Sequence, residues 1–70
     1  MNLYTYIIGT TAPDPDDEVY VSVNAIGDSV ARLAAQAEVR ALGLTPVVVN
    51  LSSVYYDTPE GEPVVTRKTP

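Results

Sequence analysis

The 70-residue chain contains no cysteine and no histidine. Without cysteine it has neither disulfides nor thiolate metal sites. Without histidine it lacks the commonest metal ligand and general base. A chain of this length allows one domain, residues 1–70, with a thin core. Small domains often add disulfides, metals or oligomerisation to such a core. With the first two removed, self-association remains, or unusually close packing of helix on sheet. Basic residues are also scarce: Arg32, Arg40, Arg67 and Lys68 stand against nine acidic ones, for a net charge of −5. That balance repels nucleic acid and anionic membranes. Only Arg67 and Lys68 adjoin, so the electrostatic footprint of a nucleic-acid binder is missing. Long apolar runs are missing too. The N-terminal MNLYTYIIGTTA has no basic region and does not read as a signal peptide. No stretch approaches the roughly 18–20 apolar residues that cross a bilayer. The expectation is a cytoplasmic protein with no nucleic-acid and no membrane partner.

The groups that carry catalysis are equally thin. The serines have no histidine to activate them, and the one lysine, Lys68, is near the end of the chain. The segment GTTAPDP lacks the glycines and lysine of a phosphate-binding loop. Nothing in the sequence sets two carboxylates around a cleft. Asp14, Asp16 and Glu18 alternate like the opening of a calcium loop, but Val19 stands where that loop needs glycine and Ala25 where it needs glutamate. The run reads as a solvated acidic loop. No enzyme activity, catalytic residue, cofactor, metal or small-molecule substrate is expected. A second acidic patch, Asp57, Glu60 and Glu62, leaves open an acidic mimic that binds a basic partner.

What is present is a folding pattern. Hydrophobic residues make up 46 % of the chain, with little low-complexity sequence, which argues against disorder. Leu3–Ile8 (LYTYII) reads as a strand, and Gly9–Asp17, with its two prolines, as an exposed loop. Glu18–Ile26 alternates, with Val19, Val21, Val23 and Ala25 on one face and Tyr20, Ser22 and Asn24 on the other. Asp28–Leu42 has helical period, with Asp28 as N-cap and Gly43 as the residue that ends the helix. Thr45–Tyr56 is a third strand, with a bend or bulge at Ser52–Ser53, and Val47, Val49 and Leu51 share a face. Asp57–Gly61 is a turn, Glu62–Arg67 a short edge strand, and residues 68–70 a frayed tail. The order β-β-α-β-β predicts an α+β fold: a small antiparallel sheet of three to four strands with one helix across one face. The valines of strands two and three should line the helix side, with Leu3 and Ile7 beneath them.

The helix is apolar on two sides. At helical spacing, Val30, Leu33, Ala34, Ala37 and Ala41 fall within about 100° of arc, the expected core stripe. Ala31, Ala35, Val39 and Leu42 form a second cluster on nearly the opposite side. This cluster has two readings. Its alanines are strong helix formers that tolerate solvent. Alternatively, it is a helix–helix contact with Arg32 and Arg40 on its rim, made with a protein partner or in a homodimer. All five aromatic residues are tyrosine. Tyr4, Tyr6 and Tyr20 should share the sheet face away from the helix, as cross-strand packing pairs or as an interface. The candidate interface residues are therefore Ala31, Arg32, Ala35, Val39, Arg40, Leu42, Tyr4, Tyr6 and Tyr20.

The succession LYTYII, EVYVSVNAI, DSVARLAAQAEVRALG and TPVVVNL resembles the arrangement of small phage-encoded accessory proteins, anti-CRISPR proteins among them. The resemblance is architectural and covers residues 3–51. It implies a non-catalytic, host-targeting binder in the host-cell cytoplasm, and it transfers no functional residue. A self-assembling structural homodimer is the alternative.

Overall fold

A computed structural model describes residues 1–10 and 18–68. Its elements are β1 (Asn2–Thr10), β2 (Glu18–Ala25), α1 (Asp28–Ala41), β3 (Pro46–Tyr55) and β4 (Val64–Lys68). The four strands form one sheet in the order β3-β1-β2-β4, antiparallel throughout. The expected α+β fold is therefore present. Because β2 and β3 both run antiparallel to β1, they are parallel to each other, and α1 is the crossover that such a pair requires. The link from β3 to β4 passes the end of β1 and β2, where the Thr58 N–H donates to the Met1 carbonyl at 2.7 Å and the Asp57 N–H to Asn2 Oδ1 at 3.4 Å. In the amide orientation that satisfies both its neighbours, Asn24 donates to the Pro59 carbonyl at 3.1 Å and accepts from the Gly61 N–H at 3.2 Å.

Cross-strand partners share a sheet face, and the register pairs Tyr4 with Val23, Tyr6 with Val21 and Ile8 with Val19. These six side chains are buried, and Ala31, Ala35 and Val39 of α1 close over them. Val49, Val54 and Val65 complete the core from the outer strands. The pairing of β3 with β1 steps from Thr5–Ser53 to Tyr6–Leu51, which leaves Ser52 as an extra residue, so the bulge expected there is present. A second shift leaves Val47 out between Val48 and Pro46.

The helix ends as its sequence suggests. Gly43 has φ +81°, the left-handed region, while its N–H donates to the Arg40 carbonyl at 2.9 Å and the Leu44 N–H to the Val39 carbonyl at 3.4 Å. These two bonds make a Schellman C-cap. The start differs from expectation. Gly27, extended, is the N-cap, and Asp28 is the first helical residue, with its carboxylate engaged elsewhere.

Three placements overturn the sequence reading. The stripe expected in the core faces outward: Val30, Leu33, Ala37 and Ala41 are exposed, and only Ala34 is half-buried. The cluster expected at an interface, Ala31, Ala35 and Val39, is the true core stripe. Tyr4 and Tyr6 lie beneath the helix rather than on the open sheet face, while Leu3 and Ile7 point away from it, half-buried. The third placement accounts for the first two. Tyrosine rings fill the sheet's inner face, and only a helix face of small residues, Ala31 and Ala35, lies close over them. Boundaries also move: Gly9 and Thr10 belong to β1, β2 ends at Ala25, β3 is Pro46–Tyr55, and β4 is Val64–Lys68 rather than Glu62–Arg67. Of the expected acidic loop, residues 11–17 lie outside the described residues, as do residues 69–70 of the expected tail.

Candidate functional site

A polar latch joins β1 and the first turn of α1. The Tyr6 hydroxyl donates to Asp28 Oδ1 at 2.6 Å. Arg32 Nε donates to Asp28 Oδ2 at 2.9 Å, and Arg32 Nη1 to the Val49 carbonyl at 3.3 Å. The guanidinium sits 5.4 Å from the Tyr6 ring centroid, a cation–π distance. Tyr4 stacks on Tyr6 at 6.4 Å with ring planes 9° apart, and Asn2 Nδ2 donates to the Tyr4 hydroxyl at 3.3 Å. Helical geometry explains how the latch forms. Asp28 shares its arc with Ala31, Ala35 and Val39, so its carboxylate points down at the sheet. Arg32, four residues on, reaches the same carboxylate.

The electrostatics follow from the contacts. Burial, and then the hydrogen bond to Asp28, push the Tyr6 phenol well above its usual value. The bonds from Tyr6 and Arg32 hold the Asp28 carboxyl below the usual carboxylate range. The same carboxylate holds the Arg32 guanidinium further above its usual value. A phenol kept protonated in this way is a poor base at neutral pH. The latch ties the first turn of α1 to β1 on the same side as the buried Ala31, Ala35 and Val39.

The outside face is apolar. Leu33 is 68 % exposed and Val30 53 %. Ala37 and Ala41 continue the line, and Ile26, 78 % exposed, stands just before the helix. The open face of the sheet is mixed. Leu3, Ile7 and Tyr20 are half-buried there, with Tyr55 exposed beside Leu3. A polar row crosses its middle, where the Thr5 and Ser22 hydroxyls meet at 2.8 Å and Ser53 stands opposite Thr5.

The nine candidate interface residues are thus dispersed. Ala31, Ala35, Val39, Tyr4 and Tyr6 are core residues and cannot touch a partner on the folded chain's surface. Arg32 belongs to the latch. Arg40 and Leu42 are exposed near the end of the helix, and Tyr20 alone of the three tyrosines lies on the open face. The surface residues that sequence reasoning assigned elsewhere are Val30, Leu33, Ala37 and Ala41. Their shared arc was visible in the periodicity, but its direction was not. Glu60 and Glu62 are exposed in the late loop, and Asp57, at φ +57°, turns it.

Among the described residues, no three carboxylates stand together as a metal site. None of the described helices is long and apolar enough to cross a membrane. No family model matches the chain, and neither does a curated protein or a solved structure.

Proposed function

We propose that this chain is a non-catalytic protein-binding factor, a phage or bacterial accessory protein that acts on a host protein through the outward face of α1. One observation carries the reading: Val30, Leu33, Ala37 and Ala41 form an exposed line along a helix whose other apolar face is already packed. Helices that dock in a partner's groove use anchors at this spacing. Large apolar side chains left together in water on so small a domain favour contact with another protein. The phage and host part of the reading rests on the arrangement of elements alone.

The test is affinity capture by wild-type protein and by Leu33→Glu. The exposed position accepts glutamate without loss of fold, so melting stays near wild type. A protein held by the wild type should fall by about tenfold or more with the variant, as for an interface hot spot. Gln36→Glu, on the polar flank, should retain it. Because the contact is apolar, capture should change little with salt. Equal capture by wild type and Leu33→Glu would sink the proposal.

A further inference from the structure

The two outer strands of the sheet are held very differently. Among the described residues, every buried core residue belongs to β1, β2 or α1. β3 adds the half-buried Val49 and Val54 to that core. It pairs with β1 from Leu3 to Thr10, and the Arg32 guanidinium donates to its Val49 carbonyl. β4 pairs with β2 only from Glu18 to Ser22. Of its described side chains, Val65 packs against the core, half-buried, while Val64 is 61 % exposed and Thr66 is exposed too.

The link that leads into β4, residues 56–63, forms neither helix nor strand. Pro59 and Pro63 within it have no N–H to donate. It is fastened at two places. One is the start of the chain, where Thr58 donates to the Met1 carbonyl from its N–H at 2.7 Å and from its hydroxyl at 3.3 Å. The other is Asn24, whose amide meets three link residues. It donates to Thr58 Oγ1 at 3.0 Å and to the Pro59 carbonyl at 3.1 Å, and accepts from the Gly61 N–H at 3.2 Å. Asn24 lies two positions beyond Ser22, the last β2 residue paired with β4. Its side chain therefore continues the attachment where the backbone ladder stops.

We infer that residues 56–68 are a strap that opens as one unit while β1, β2, β3 and α1 stay folded, with Asn24 as its clasp. Proteins open locally in cooperative units, and units that bury few apolar contacts open most easily. The strap brings one half-buried valine to the core, so opening leaves the buried core whole. It turns β2 from an inner strand into an edge strand, with one row of its backbone donors and acceptors unpaired. Closing pairs that row again. The strap lies apart from the outward face of α1, so this inference and the proposed function can fail separately.

Amide hydrogen exchange of the full-length chain, read residue by residue by NMR at low urea concentrations, tests it. The hydrogen-bonded amides of β4 should exchange about tenfold faster than the slowest amides of β1, or faster still. Their rates should hardly depend on urea, because the opening exposes little surface. Two substitutions separate the strap from the rest. Gly43→Ala strains the helix end, which is the same whether the strap is open or closed. It should speed the slowest β1 amides by about tenfold and leave β4 unchanged. Asn24→Ala removes the clasp and should speed the β4 amides by about tenfold, while circular dichroism stays that of the folded chain. β4 amides that exchange as slowly as those of β1, or that Gly43→Ala speeds equally, overturn the inference. So do β4 rates that Asn24→Ala leaves unchanged.

Discussion

Asp28 accepts hydrogen bonds from Tyr6 and Arg32, and both favour its charged form. Its folded pKa therefore lies below its unfolded one. The resulting stabilisation is complete above about pH 4 and is lost as pH falls through the folded value. Asp28→Asn should flatten the acid limb of a plot of urea midpoint against pH. Tyr6 is shifted the other way: its folded pKa is raised. Its contribution is complete below about pH 10 and declines above that, as the unfolded chain ionises first. Tyr6→Phe should remove that alkaline decline, and should cost about 1 kcal/mol at neutral pH for the lost hydrogen bond. At the other end of the helix, Gly43 sits at φ +81°. Gly43→Ala should cost about 1–2 kcal/mol, the penalty of a Cβ in the left-handed region, read from the same urea titrations. The Gly43 cap was legible because glycine after a helical run has few other uses. The latch was not. Nothing in the spacing of Tyr6 and Asp28 along the chain says that a loop will fold one onto the other.

Among the elements, the strands and their antiparallel pairing were legible from alternation, and the Ser52 bulge from a serine pair interrupting it. The rotation of α1 was not, because both of its arcs are apolar and the outward one holds the larger side chains. Size misled: a wide stripe with Val30 and Leu33 looks like a core, but the stripe packed over the sheet is Ala31, Ala35 and Val39. The face of β1 was hidden for a related reason. Its two faces are both apolar, and a long loop does not fix the pairing register with β2. One pair of variants settles the helix. Ala35→Glu puts a charge under the helix at a fully buried position, which costs several kcal/mol. A small single core supplies only about 3–5 kcal/mol, so this variant should be unfolded by circular dichroism. Leu33→Glu, on the exposed face, should stay within about 0.5 kcal/mol of wild type.

At the scale of the whole molecule, one sheet and one helix make a two-layer domain in which each layer covers only one side of the other. The remaining sides, the outer line of α1 and the open sheet, carry apolar side chains that no third layer covers among the described residues. The account stands on the outer line of α1, where Val30 and Leu33 are exposed. Its most direct test is capture of partner proteins by folded Leu33→Glu beside wild type. The account predicts wild-type melting with the partner lost. Wild-type melting with the partner fully retained would contradict it.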